Sequence, residues 1–138
     1  MTDTAAAFPG PLKRTWPAVP DSISQIRAAH IRFASEAGAS RRTTDAVALA
    51  ISEAAANSVI HGFGDGLPAG SITTSAEVLA DGRLCHVISD DGCGIRGGLR
   101  NPGLGLGLPL IAQVADHVDV RSEPGQGTEI TMVFALVT

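Results

Sequence analysis

Between Asp91 and Gly107 the chain reads DGCGIRGGLRNPGLGLG, with glycine at Gly92, Gly94, Gly97, Gly98, Gly103, Gly105 and Gly107. Each glycine inside a helix or strand is worth about 0.5–1 kcal/mol less than alanine, because its backbone loses the most freedom on folding. That density predicts an irregular loop here, so the regular elements must lie on either side of it. Pro109 then suits the first turn of a helix. Leu110, Ile111, Val114 and Ala115 carry that helix to about His117.

The flanking segments supply the elements. Residues 1 to 11 read as a tail, and counting the domain as 15–138 leaves 1–14 outside it. LKRTWPAVP reads as a short edge strand, since Pro17 and Pro20 cannot donate in a central one. A helix follows from Ser22, with Gln25 completing an S-x-x-Q capping box and Gly38 as the stop. A second runs from Thr43 or Thr44 to His61, either threonine capping it and Asp45 complementing the dipole in its first turn. SITTSAEVLA and RLCHVISD alternate as strands, and Asp81-Gly82 between them signals a hairpin. VDVRSE and TEITMVFALV close the chain as two more strands, the last apolar on both faces. This order predicts an α+β fold. It is a two-layer α/β sandwich with helices on one face of a mixed, mainly antiparallel sheet.

Composition excludes several classes. With 44% hydrophobic and 17% charged residues, the chain is not disordered. A net charge of -4 argues against direct nucleic-acid binding and against an anionic membrane surface. No apolar run is long enough for a bilayer, and MTDTAAAFPG lacks the pattern of a signal peptide. Cys85 and Cys93 are too few for a disulfide framework and have no second pair to form a zinc site. Cys85 reads as a small core residue and Cys93 as a loop thiol, which fits a cytoplasmic protein. His30, His86 and His117 are scattered, with no spacing that links them to one another as metal ligands.

Four segments carry chemistry. EAAANSVIHG places Glu53, Asn57 and His61 four apart, hence on one helix face. An asparagine carbonyl suits Mg²⁺, and a carboxylate one turn earlier can take a proton from an attacking hydroxyl. The same pair is also what a solvated helix face looks like. DDGCG ends a strand: its aspartate can accept from an exocyclic amine, while the glycines let a flat ring approach the backbone. GLGLGLP offers phosphate-accessible N–H groups where a helix begins. GQGT is a turn whose Thr128 hydroxyl could donate. The Gly-rich stretch does not directly follow a strand as a dinucleotide fingerprint should, and no G-x-x-x-x-G-K-[ST] is present.

Taken together and in order, E-x-x-x-N-x-x-x-H-G, D-x-G-x-G, the Gly-rich stretch and G-x-G-T resemble the GHKL ATPase superfamily, the fold of gyrase-type ATPases and sensor histidine kinases. ISEAAANSVIHGFG, VISDDGCGI, GLGLPLIAQVADHVDV and EPGQGTEITM look most like the small bacterial anti-sigma factor serine kinases of partner-switching systems. The resemblance spans roughly residues 15 to 137.

It implies ATP and Mg²⁺ as cofactors, with Asn57 on the metal, Glu53 as general base and Asp90 on the adenine amino group. Gly92 and Gly94 match the glycines of the adenine loop, and Asp91 its variable, solvated position. Gly105 and Gly107 match the phosphate glycines, Gly103 the adjoining lid, and Thr128 the threonine near adenine. His61 matches a common residue without an assigned role. Arg100 lies where a lid residue could reach the γ-phosphate, but its spacing to the glycines departs from the family pattern. The implied partners are a sigma factor and a STAS-type anti-anti-sigma protein phosphorylated on Ser or Thr, with residues 95 to 107 as the nucleotide-dependent switch. A homodimer through the N-terminal strand and first helix is also implied. A nucleotide-sensing module without catalysis, or a switch kinase that activates a phosphatase, would share most of these motifs.

Overall fold

The computed structural model describes residues 8–62, 70–92, 102–123 and 126–137, the side chains of 61–62 and 102–107 excepted. In chain order the elements are β1 (Leu12–Pro17), α1 (Pro20–Glu36), α2 (Arg41–Gly62), β2 (Ser71–Val78), β3 (Leu84–Asp90), α3 (Pro102–Val114), β4 (His117–Glu123) and β5 (Gly127–Phe134). The five strands form one sheet in the order β1-β2-β3-β5-β4. All four pairings are antiparallel, so the sheet is not mixed as expected, while the two-layer α+β architecture holds. β1 is an edge strand, as its prolines required. It takes in Leu12 to Arg14, which therefore belong to the domain and not to a tail.

Period-two alternation sends one side of every strand to the helices. Trp16, Ile72, Ile88 and Ile130 come from four different strands and are buried in one core with Ile26, Phe33, Val47 and Ile51 of α1 and α2. The other face of β5 is only partly covered: Val133 is buried, but Thr131 is half-buried. Cys85 is on that outer side of β3, half-buried, and not in the core. Burial, and secondarily the carboxylate of Glu77, pushes its thiol pKa up. Trp16 keeps its ring in the core, donates from Nε1 to Thr74 Oγ1 at 3.0 Å, and lies under the Arg14 guanidinium.

The caps differ from the sequence expectation. Pro20, with its φ already set for a first turn, starts α1 after Val19, and no side chain caps it. Ser22 instead donates to the Pro17 carbonyl at 2.6 Å, tying helix to strand. At the other end Gly38 (φ +92°) and Ala39 donate to Ser35 and Ala34, a Schellman stop. Ser40, not a threonine, caps α2 by accepting from Thr43 N–H at 3.1 Å. This frees the Thr43 hydroxyl to donate to Ala135 O, and it leaves Asp45 beyond the first turn. Asp81-Gly82 does turn the β2–β3 hairpin, with Gly82 at φ +89°.

The largest departure is α3. It starts at Pro102, takes Gly103, Gly105 and Gly107 into its first turns, holds Pro109 in its interior, and ends at Val114 so that His117 opens β4. α2 packs against both α1 and α3 and lies over β3 and β5.

Two histidines that the sequence leaves far apart meet in this core. His30 of α1 and His86 of β3 are both fully buried, with their Nδ1 atoms 2.7 Å apart. One ring must donate and the other accept, so as neutral rings the two take opposite tautomers. Among the described residues neither Nε2 has a partner. The surroundings are uncharged: Ala76 and Met132 flank His86 in the sheet, and Phe33 and Phe134 meet its ring edge-on. Burial lowers the pKa of His30 to about 4 and that of His86 to about 3, with His30 itself a second cause for His86.

An unfolded imidazole protonates near pH 6.5, as a rule of thumb. Below that pH the unfolded chain binds protons the folded one refuses, so stability falls as pH drops toward the folded values and levels off beneath them. Urea denaturation should show a loss of about 2 kcal/mol between about pH 7 and about pH 5.5. In a His30→Leu/His86→Leu double variant most of that difference should vanish. An equal pH dependence in the variant would assign it elsewhere.

Candidate functional site

Asp90 is the last residue of β3 and pairs with Thr128 across the β3–β5 ladder. It lies on the helix-facing side, in register with Ile88 and one step beyond the core. Its carboxylate accepts from the Gly92 amide at 3.0 Å, and the Ser58 side chain of α2 and the Thr128 amide favour its ionised form. Burial still pushes the Asp90 pKa above its ordinary value, against these opposing influences. A carboxylate desolvated to that degree, with acceptor capacity remaining, is suited to one more neutral donor such as an amine on a flat ring.

Gly127 explains why the G-x-G-T turn needs its second glycine. It has φ +88°, and a Cβ built there would stand 2.0 Å from the Asp90 carbonyl oxygen. Only a residue without a side chain lets the β5 backbone come so close. Thr128 next to it shares a hydrogen bond with Ser122 of β4, hydroxyl to hydroxyl at 3.0 Å. Asp90, Ser122, Gly127 and Thr128 line a cleft of about 320 Å³ with Ser89 and Arg121. Larger clefts lie beside Leu49 and Gln113 (about 460 Å³) and beside Trp16 and Arg32 (about 760 Å³). Neither is lined by Asp90, and Glu53, Asn57 and Ser58 line none of the three.

α2 brings the second half of the site. Asn57 is buried, as is Ser58 directly after it, and Glu53 is half-buried one turn earlier. Asn57 Nδ2 has no partner among the described residues. A buried amide donor left open costs about 1–3 kcal/mol, which fits a pocket made for an oxygen-rich ligand. His61 lies in the last turn of α2, its side chain outside the described residues.

The phosphate segment needs a correction. α3 starts at Pro102 and not at Pro109, so the Gly103 N–H falls in the first turn, where N–H groups have no intrahelical partner, while Gly105, the fourth helical residue, is where the ladder begins. Gly107 is a turn further in, where the N–H belongs to the helix ladder. Gly94, Cys93, Arg100 and residues 95 to 101 of the expected switch lie outside the described residues. Asp91, expected to be merely solvated, is exposed but accepts from the Ser71 amide at 2.9 Å and so fastens the start of β2. Ser58 and Ser122 were not singled out from the sequence. The one available signal for Ser58 was a serine beside Asn57 on an otherwise alanine-rich helix. No group of metal-binding side chains occurs among the described residues, and none of their helices is long and apolar enough to cross a membrane.

Comparison with known proteins gives this geometry a context. A family model for the histidine kinase-like ATPase domain matches residues 16–134. The chain is 33% identical over 118 residues to an anti-sigma F factor of Clostridium acetobutylicum, covering 76% of this chain and 80% of that protein. A second anti-sigma F factor, from Pasteuria penetrans, is 32% identical over 97 residues, covering 62% of this chain and 64% of the other. Among solved structures, the RsbU and RsbW domains of a Mycobacterium tuberculosis protein superpose with a TM-score of 0.75 at 24% identity. That match covers 93% of this chain and 33% of the other. The histidine kinase domain of a blue-light activated kinase from Erythrobacter litoralis superposes with a TM-score of 0.63 at 20% identity, over 87% of this chain and 61% of the other.

The close approach at Gly127 can be tested without any ligand. Gly127→Ala should lower stability by about 3 kcal/mol or more, since strain from φ adds to a backbone overlap. A thermal melt matching the parent protein would mean that β5 does not approach Asp90 this closely.

Proposed function

Since the chain belongs to the histidine kinase-like ATPase family, on its anti-sigma factor branch, we propose that it binds Mg·ATP and phosphorylates a STAS-type anti-anti-sigma partner on Ser or Thr. In the same reading it holds a sigma factor and releases it in exchange for the unphosphorylated partner. The observation that carries this is the pairing of two half-sites. One is a buried, donor-bound Asp90 carboxylate, and the other is the unpartnered Asn57 amide one turn from Glu53.

Asp90 accepts from the adenine amino group, and Gly92 leaves room for the ring beside the backbone. Gly94 would extend that opening. The Thr128 hydroxyl, steadied by Ser122, completes the base end. The Asn57 carbonyl would hold Mg²⁺, and its buried, unpartnered Nδ2 would be left to donate to an oxygen of the nucleotide. Mg²⁺, when bound, neutralises phosphate charge and orients the leaving group. N–H groups at the start of α3, near Gly103 and Gly105, stabilise the same charge, and Gly107 keeps the following turn free of side chain. Glu53, half-buried on the same helix face as Asn57, takes the proton from the partner's hydroxyl as its oxygen attacks the terminal phosphorus.

The test uses labelled ATP and a STAS protein encoded beside this chain. Phosphate transfer should occur with the parent protein and fall at least about a hundredfold in Glu53→Ala, the usual scale for a lost general base. Nucleotide affinity should be unchanged. Binding without any transfer would leave a nucleotide-sensing module and reject the kinase. Asp90→Asn should separately weaken ATP binding by about 1–3 kcal/mol, because a charged acceptor is lost. Equal calorimetric affinities would remove Asp90 from the base site.

A further inference from the structure

The solvent side of a surface helix normally carries charge. α2 keeps to this only at its start, where Arg41, Arg42 and Asp45 are exposed. From Ala46 to Ile60 the single ionisable residue is Glu53, and the rest is alanine, aliphatic or small and polar. One side of this stretch packs on the sheet and on the neighbouring helices. The other side is open. Among the described residues the exposed large hydrophobic side chains are Phe8, Leu49, Ile60 and Val137. Phe8 and Val137 lie outside the regular elements, whereas Leu49, 38% exposed, and Ile60, 61% exposed, are both on α2.

Scattered apolar side chains on a surface need no explanation. What sets these two apart is the face they share. At 3.6 residues per turn, Leu49, Glu53, Ala56 and Ile60 fall within about 60° of one another around the axis, in a strip about 16 Å long. The hydroxyl that borders the strip, on Ser52, is turned back to donate to Ala48 O at 2.7 Å. At the Leu49 end the strip runs into the cleft of about 460 Å³, whose wall includes Ala46, Val114 and Phe134. The open side of α2 thus offers apolar contact at both ends and a half-buried carboxylate between them.

We infer that this strip is the docking surface for the protein that carries the acceptor hydroxyl, and that the partner presents an apolar rim around its Ser or Thr. The inference rests on the kinase reading given above. A general base acts only on a hydroxyl brought within hydrogen-bond reach. An occupant that covers both Leu49 and Ile60 must pass over Glu53, so whatever buries the strip delivers its own groups to the carboxylate. A small hydroxyl compound that met Glu53 alone would leave both apolar ends in water. A protein surface covers them together.

Steady-state transfer from labelled ATP to the STAS protein named above tests this. Leu49→Ser and Ile60→Ser should each raise KM for the acceptor protein about tenfold, the scale of one large aliphatic side chain withdrawn from an interface. The kcat at saturating acceptor and the calorimetric ATP affinity should stay at their parent values. Ile60→Leu keeps the apolar area and should keep the parent KM. The inference is overturned if either serine variant keeps the parent KM. It is also overturned if ATP affinity falls along with acceptor affinity, which would assign the strip to the nucleotide pocket. Light scattering that shows a parent dimer abolished in both serine variants would assign the strip to a second copy and overturn it as well. A parent protein that binds ATP but transfers no phosphate overturns the kinase reading itself, and this inference with it.

Discussion

Everything at the site is referred to one rung, Asp90 opposite Thr128 at the end of the β3–β5 ladder. A buried carboxylate is tolerable only when donors surround it. Here the Gly92 amide of the loop after β3 donates to it, and Thr128 of β5 and Ser58 of α2 favour its ionised form. Each of these groups is held by a different part of the fold, so the position of the acceptor encodes the relative placement of all three. The glycine at 127 belongs to the same constraint. Without it the β5 turn would stand away from the Asp90 carbonyl and the rung would not form at this point.

α2 shows how the fold tolerates polar groups it does not satisfy. Its inward positions Val47, Ala50, Ile51, Ala54 and Ala55 are completely buried. Their small size lets the helix sit close over β3 and β5. Burial of Val47 and Ile51 alone contributes about 1.5–3 kcal/mol each. That outweighs the open Asn57 donor, at about 1–3 kcal/mol. The helix can therefore present Glu53, Asn57 and Ser58 at its C-terminal half because its N-terminal half is packed well enough to hold it there. Local rules broken at one end of an element and kept at the other are what a functional site leaves behind.

What the sequence revealed and what it hid follow the range of the interactions involved. The common face of Glu53 and Asn57, the Asp81-Gly82 hairpin, the Gly38 stop and the edge position of β1 all depend on spacings of a few residues, and each is found as read. The pairing of His30 with His86 and the bond between Ser122 and Thr128 join different elements, and no local pattern announces them. The same holds for Asp91 reaching Ser71 and for Ser22 turning to Pro17 instead of capping its own helix. In each case a polar side chain had a local use available and took a tertiary one.

α3 sets propensity most directly against context. Relative to alanine, Gly103, Gly105 and Gly107 disfavour helix by about 1 kcal/mol each and Pro109 by about 3, or about 6 kcal/mol in all. Pro109 also leaves one carbonyl of the preceding turn without its ladder bond. The residues that offset this lie late in the helix: Ile111 is fully buried, and Leu108 and Val114 pack against the core. Three partly or fully buried aliphatic side chains are worth about 5 kcal/mol together. Over the described side chains the balance is thus close, and the unfavourable terms fall mainly in the first turns of the helix. A bound anion at that end contributes about 0.3–1 kcal/mol through the dipole, more where it is partly buried. Where the opposing terms nearly cancel, an increment of that size is enough to shift how firmly the first turns of α3 are held, and so an anion bound at that end would act on the helix itself.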